Sequence, residues 1–238
     1  MKHKKMRMLG MVGGTSWHSS AEYYRHINLA VNQHFGDNTN PPLVLFNLNQ
    51  SQVHQYQIDD NWTGVADLIM DGAVRLEKAG AESLIFCANT PHKVFETVQS
   101  SVGIPIIHIA DATARAIQQQ NIRKVCFIGT KFTMQEDFIT GRIARHGIEV
   151  LVPEEPDVIT ELHRIIQKEL TFGQIIEASK TYVLQTLQAM IDKGAESVIL
   201  GCTEFPLMIS DKDLVLPIFN TTEIHSNAAT RYILNLED

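Results

Sequence analysis

The segment Gly80–Pro91, GAESLIFCANTP, is written a second time as Gly194–Phe205, GAESVILGCTEF. Gly80, Ala81, Glu82, Ser83 and Ile85 meet identical residues at Gly194, Ala195, Glu196, Ser197 and Ile199, 114 positions on. Two weaker echoes run in the same order. IPIIHIAD (Ile104–Asp111) is matched by LPIFNTTE (Leu216–Glu223) at a spacing of 112, and Gly13 of MLGMVGGT meets Gly129 of KVCFIGTK at 116. Matches in order at nearly one spacing mean a duplicated half. A period this long describes two pseudo-symmetric halves, not a stack of short repeats.

Each half alternates short apolar runs with stretches of helical spacing. Strands are expected at Met8–Val12, Leu43–Leu48, Leu84–Cys87 and Ile106–Ile109, then at Val125–Ile128, Glu149–Val152, Ser197–Leu200 and Leu216–Phe219. The apolar runs suit parallel strands covered on both sides. Between them Val65, Leu68, Ile69, Ala73 and Leu76 mark a helix over Trp62–Ala79, and Asp111 is placed to cap the helix after His108. Single helices are expected over Met134–His146 and Glu223–Leu234, while Asn49–Asn61 reads as a polar connection. The fold class is α/β: two pseudo-symmetric domains, each a parallel sheet with helices on both faces. Residues 1–104 with 218–238 form the first domain and 105–217 the second.

In open α/β sheets ligands bind beyond the carboxyl ends of the strands. Cys202, Thr203 and Glu204 follow the strand Ser197–Leu200, and Ala88, Asn89 and Thr90 hold the equivalent place in the first half. A site between the halves would receive one loop from each, which suits proton removal from one face of a carbon and delivery to the other. A lone cysteine after a strand is more often a buried, inert residue; the repeat is what singles out Cys202. Its thiolate would be favoured if the loop opened a helix. Glu204 either orients groups around Cys202 or satisfies backbone donors at the turn, and the second reading is preferred. Gly13 and Gly14 either admit an anion to the helix that follows or simply make a tight turn; the spacing of a dinucleotide fingerprint is absent. His92 reads as a helix cap or carboxylate partner, and His108 as a cleft residue or a structural one.

Several classes are excluded. Three widely spaced cysteines, Cys87, Cys126 and Cys202, form neither a disulfide framework nor a zinc spacing. The 10 histidines show no metal pattern, and no lysine stands in a cofactor-binding context. A net charge of −7 disfavours nucleic-acid binding. The basic start MKHKK leads into a strand, not an apolar signal core. The expectation is a cytoplasmic protein with no cofactor, no metal, no nucleic acid and no membrane, whose partner is a small-molecule amino acid; homodimer formation stays open.

CANTPH, GCTE, the Gly13-Gly14-Thr15-Ser16-Trp17 turn and the Tyr23-Tyr24 pair resemble the cofactor-independent aspartate/glutamate racemase family. HIADATARAI and GTKFTMQEDF at corresponding positions extend the likeness over nearly the whole chain, nearest in look to the broad-specificity bacterial amino-acid racemases. The resemblance implies a thiol base in each half and a substrate α-carboxylate held by Asn89, Thr90 and Thr203, with Thr15 and Gln57 lining the site. Thr130 and Glu204 complete the candidate contacts. One departure matters: the first thiol of the family falls on Ala88, and the repeat agrees, because Ala88 is the partner of Cys202. Alanine exchanges no proton. Cys87 is one residue away, where strand alternation turns it to the opposite face, so it serves as second base only through a bulge or twist. The single thiol also suits a lyase or isomerase of the same superfamily, or a silent amino-acid-binding protein.

Members specific for aspartate carry cationic residues for the distal carboxylate, one in the loop after the second strand and one that falls near Thr171. Asn49–Gln57 holds no Arg or Lys, only His54 and amides. A buried carboxylate without a charge partner is costly, so a neutral polar side chain is expected, unless Lys131 or Lys168 reaches in.

Overall fold

The computed structural model describes residues 6–236; the basic stretch Met1–Lys5 lies outside the described residues. The chain divides into two compact units, Met1–His108 with His225–Asp238, and Ile109–Ile224.

In the first unit β1 (Leu9–Gly13), β2 (Leu43–Asn47) and β3 (Ser83–Phe86) form a parallel sheet in the order β2-β1-β3. Helices α1 (Trp17–Phe35), α2 (Gln50–Ile58), α3 (Trp62–Lys78) and α4 (Phe95–Gln99) connect and flank it. The second unit starts with α5 (Ile109–Gln119) and continues through β4 (Lys124–Gly129), α6 (Lys131–Gln135), α7 (Thr140–Ala144) and β5 (Glu149–Leu151). Then come α8 (Pro156–Lys168), α9 (Glu177–Asp192), β6 (Ser197–Gly201) and β7 (Ile218–Asn220), in a parallel sheet of order β5-β4-β6-β7. The last helix, α10 (Thr221–Ile233), counts with the first unit from His225 onward.

The duplicated text folds into duplicated topology. Leu9 registers with Ser83 across β1 and β3, as Val125 does with Ser197 across β4 and β6. Every residue of β1, β3 and β6 is buried, which is why these strands read as unbroken apolar runs. Alternation sorts the first sheet's side chains into two layers. Val12, Leu84 and Phe86 pack with Val65, Ile69 and Val98, whereas Leu9, Met11, Ile85 and Cys87 pack with Tyr23, Ile27, Ala229 and Ile233.

Five local expectations are corrected. The strand at Ile106–Ile109 shrinks to a single bridge between Leu84 and Ile106, because α5 already begins at Ile109. Its counterpart β7 is a full strand. In both places a proline carbonyl, Pro105 or Pro217, accepts the N–H of Leu84 or Val198, so the prolines sit at sheet edges where no N–H is required. Residues 218–220 therefore belong to the second sheet. The polar stretch after β2 contains α2, started by Asn49 Oδ1 accepting from Ser51 N–H at 3.0 Å; only Val53 is buried, so no apolar stripe announces it. The helix expected over Met134–His146 is broken at Glu136, whose backbone is extended. Asp111 is no cap: it lies in the first turn of α5 and grips the Arg142 guanidinium through two bonds of 2.8 Å.

Candidate active site

The second unit places Cys202, Thr203 and Glu204 directly after β6. Gly201, the last residue of that strand, pairs with Gly129 of β4. A side chain at Gly201 would meet Cζ of Phe127 at 2.1 Å, so glycine lets the ring pack under the loop and hold it close to the sheet. The Cys202 Sγ–H donates to Glu204 Oε2 at 2.9 Å, and Thr203 Oγ–H donates to the same oxygen at 2.7 Å. Glu204 therefore orients the thiol, a correction to the expectation that it serves backbone donors. Cys202 is 7% and Glu204 6% exposed.

Burial pushes the Cys202 thiol well above its ordinary value, and the adjacent Glu204 carboxylate adds to this. The backbone N–H groups of Glu204 and Thr203 act the other way, toward the thiolate. The loop opens only a three-residue 3₁₀ turn, Phe205–Leu207, too short to supply the helix dipole the sequence suggested. Cys202 rests as a thiol. Thr130 begins α6, its Oγ1 accepting from Thr133 N–H at 3.4 Å. Thr171 Oγ–H is turned onto the Gln167 carbonyl at 3.0 Å.

In the first unit Ala88, Asn89 and Thr90 follow β3 and lead into a 3₁₀ turn, Thr90–Val94, with Pro91 in its first turn. Ala88 is half-buried, and Asn89 is buried. The β1–α1 turn lies beside them, because Cys87 N–H donates to the Val12 carbonyl at 2.9 Å and Ser19 Oγ–H to the Cys87 carbonyl. Gly14, at φ +86°, has the Leu48 backbone oxygen 2.3 Å from where a Cβ would stand; only glycine makes this turn. Its N–H donates to Ser20 Oγ at 2.9 Å, so the Gly13-Gly14 pair is a tight turn whose second N–H is held within the fold. Thr15 Oγ1 is buried without a hydrogen-bond partner. Gln57 is half-buried in the last turn of α2.

Cys87 is fully buried, continuing the Ile85 row onto the face covered by α1 and α10. Burial pushes its thiol far up. The spacing of the sequence gave no sign of a third feature. His92, His108 and His225 gather in the first unit, with ring centroids 4.5 Å apart for His92–His108 and 5.7 Å for His92–His225. Among the described residues no three His, Cys, Asp or Glu side chains are placed to share a metal ion. Among the same residues no helix is long and apolar enough to cross a membrane.

Two parallel α/β units, with a thiol–carboxylate pair beyond one central strand, define a class, and comparison with known proteins assigns it. Residues 12–229 match the Asp/Glu/Hydantoin racemase family, and the chain belongs to that family. It is similar to a Yersinia pestis protein whose assignment as an Asp/Glu racemase is itself provisional, with 38% identity, 96% of this chain and 100% of that one covered, and a TM-score of 0.90. An aspartate racemase homologue from Pyrococcus horikoshii OT3 shares 36% identity over 94% of this chain and 97% of its own, at a TM-score of 0.81. The broad specificity amino-acid racemase RacX of Bacillus subtilis strain 168 is 27% identical over 155 residues, 65% of this chain and 66% of that protein. The chain thus spans slightly less than two thirds of RacX.

Proposed function

We propose that the protein is a cofactor-independent amino-acid racemase in which Cys202 exchanges the α-proton on one face of the substrate. The observation that carries this is the hydrogen bond from Cys202 Sγ to Glu204 Oε2 at 2.9 Å. A resting thiol is no base. To become one, Cys202 passes its proton to Glu204, and the N–H groups of Thr203 and Glu204 then hold the sulfur anion. The thiolate takes the α-proton and is again a thiol. The electron pair left on the α-carbon delocalises into the substrate carboxylate, where the backbone N–H groups of Asn89 and Thr90 and the hydroxyls of Thr15, Thr90 and Thr203 stabilise the developing charge. The Thr203 hydroxyl turns away from Glu204 once that carboxylate holds the thiol's proton. Gln57 and Thr130 complete the proposed lining.

Inversion needs a proton on the other face. Ala88 offers none, and we assign no proton transfer to Cys87, which is fully buried in one cluster with Met11, Tyr23 and Ile27. Water supplies the second proton, at a loss of about 10²–10⁴ relative to a positioned group, and the hydroxide left is neutralised through solvent by the proton that Glu204 took from Cys202. The protein therefore exchanges the α-hydrogen faster than it inverts the centre. The side chain it accepts is neutral and polar: Asn49–Gln57 carries no Arg or Lys, and Thr171 stands where aspartate-specific relatives are expected to place a lysine.

The test is deuterium wash-in, followed together with chiral chromatography, on a panel of L-amino acids in heavy water. α-Deuterium appearing ahead of D-isomer, absent in Cys202→Ala, supports the reading; no exchange with any amino acid sinks it. Ala88→Cys is expected to raise inversion toward the rate of exchange. Ala88 also favours a second reading, a single-thiol lyase that protonates an anion formed by loss of carbon dioxide. Gas release from a 2-substituted malonate, with no α-exchange of amino acids, selects that alternative.

A further inference from the structure

The proposed chemistry leaves one buried polar assembly without a role. His92, His108 and His225 come from the loop after β3, the end of the first unit's opening segment, and α10. They meet among Tyr23, Phe86 and Phe95. Desolvating imidazoles is costly unless their N–H groups and lone pairs are placed, and the partners of two of them decide their tautomers.

His225 Nε2 faces the Ile107 carbonyl at 2.8 Å. A carbonyl only accepts, so Nε2 carries the proton. Nδ1 of the neutral ring then accepts from Tyr23 Oη–H at 2.8 Å. His92 is set the other way. Its Nδ1 faces the carbonyls of Ala88 at 3.0 Å and Asn89 at 3.2 Å, so its proton is on Nδ1 and is shared between two successive peptide groups. Burial, and then the neighbouring His108 and His225, hold His92 in the neutral form.

The peptide bonds here are trans, and in a trans peptide the C=O and the following N–H point in opposite directions. Drawing the carbonyls of Ala88 and Asn89 onto one inward N–H therefore turns the N–H groups of Asn89 and Thr90 outward. These two peptides belong to the loop assigned to the substrate carboxylate. We propose that His92 is a positioning residue for that loop: by clasping the carbonyls of Ala88 and Asn89 from the core, it aims the N–H groups of Asn89 and Thr90 at the carboxylate of a bound amino acid. The aim at a carboxylate rests on the racemase reading; the clasp does not. His225, itself held by Tyr23, is the fixed floor against which the His92 ring packs.

Three measurements test it. Nitrogen-15 NMR of the unmodified protein is expected to show His92 as the Nδ1–H tautomer, and an Nε2–H tautomer overturns the proposal. His92→Leu removes the clasp, and His92→Asn returns a short amide donor near the Nδ1 position. Hydrogen exchange over residues 87–94 is expected to rise about tenfold in His92→Leu, the scale of one lost hydrogen bond, and to stay within about twofold of the parent in His92→Asn. For the amino acid turned over best, His92→Leu is expected to raise KM about tenfold with a smaller change in kcat, and His92→Asn to recover most of it. Unchanged loop exchange and KM in a folded His92→Leu overturn the proposal. If His92→Leu does not fold, the NMR tautomer and His92→Asn decide it. A parent protein that turns over no amino acid removes the racemase reading, while the tautomer and the exchange data still judge the clasp.

Discussion

The loops after β3 and β6 occupy the same place in the two copies of one duplicated half, yet they are held by opposite means. Position by position, Cys87-Ala88-Asn89 stands where the other half has Gly201-Cys202-Thr203. The second loop is organised from within: Glu204 takes both the thiol and the Thr203 hydroxyl on a single oxygen. The first loop carries no titratable group at Ala88 or Asn89 and is gripped from beneath by the His92 imidazole. Packing differs accordingly. In the first sheet Met11 and Cys87 lie in one buried cluster; in the second the Phe127 ring takes the room beside Gly201. A thiol at Cys87 is thus a volume element, whereas the thiol at Cys202 is the one proposed to react. Duplication fixed the frame, and the proposed chemistry draws its thiol from one copy alone.

The comparison breaks first, and by the largest amount, at the sulfur. Cys202→Ala is expected to reduce α-proton exchange by about 10²–10⁴, the contribution of one positioned acid–base group. Cys87→Ala is expected to change it less than about twofold while costing stability on the order of 1–2 kcal/mol for the small cavity left. Deuterium wash-in on the two variants and the parent separates these outcomes. Equal losses at both positions would show that the first half uses Cys87 after all.

Much of this frame was legible because it rests on repetition and on periods the backbone imposes. The 114-residue echo gave the two halves, and unbroken apolar runs gave the strands. Strand alternation predicted that Cys87 is turned away from the loop, and Cys87 lies in the cluster with residues of α1 and α10. What stayed hidden was tertiary. Helix α2 buries only Val53 and has no apolar stripe, so the polar stretch concealed it. His92, His108 and His225 lie far apart in the chain, and no spacing rule joins them. Glu204 was legible as a neighbour of Cys202, but its direction depends on a turn that residue types alone do not specify.

The histidine cluster also makes the first unit the more acid-sensitive one. Burial lowers His225 to about 4 from an ordinary value of 6.5, and His92 is lowered for the same reason, reinforced by its histidine neighbours. A histidine depressed in the folded state stabilises above its unfolded value and loses that contribution as pH falls toward the folded value. For His225 the loss runs from 6.5 to about 4 and totals about 3 kcal/mol, at roughly 1.4 kcal/mol per unit. Asp111 behaves differently in the second unit. Burial raises its carboxyl, but Arg142 and His146 outweigh this and hold it below 3.8, so that pair fails only in stronger acid. Hydrogen exchange corrected for intrinsic rates at about pH 7.5 and about pH 5 should show peptides around Tyr23 and His225 deprotecting while those of β4 and β6 hold. His225→Gln should flatten the difference; uniform deprotection would contradict it.

Gly201→Ala probes the way the second loop is held. The added methyl meets Cζ of Phe127 at 2.1 Å, and overpacking of this kind costs about 1–3 kcal/mol. Thermal unfolding should reveal the loss, and Phe127→Leu in the same chain should relieve part of it. Full stability in Gly201→Ala alone would mean that the ring is not wedged beneath the loop.

The smallest expected effect tests how Glu204 divides its attention. Its Oε2 accepts from both Cys202 and Thr203, at 2.9 and 2.7 Å, so the hydroxyl competes with the thiol for one oxygen. Thr203→Val keeps the shape and removes the competitor. With the hydroxyl gone, Oε2 is left to the Cys202 thiol alone, which favours the exchange step. The same substitution deletes a hydroxyl proposed to touch the substrate carboxylate, which weakens binding by the value of one hydrogen bond, about 1 kcal/mol or roughly fivefold. The expected signature is therefore a split: KM for exchange rises about fivefold while kcat stays level or increases slightly. Thr203→Ser, which restores the hydroxyl, should return both to the parent values. A fall in kcat with KM unchanged would place Thr203 in support of the reacting pair, not at the substrate.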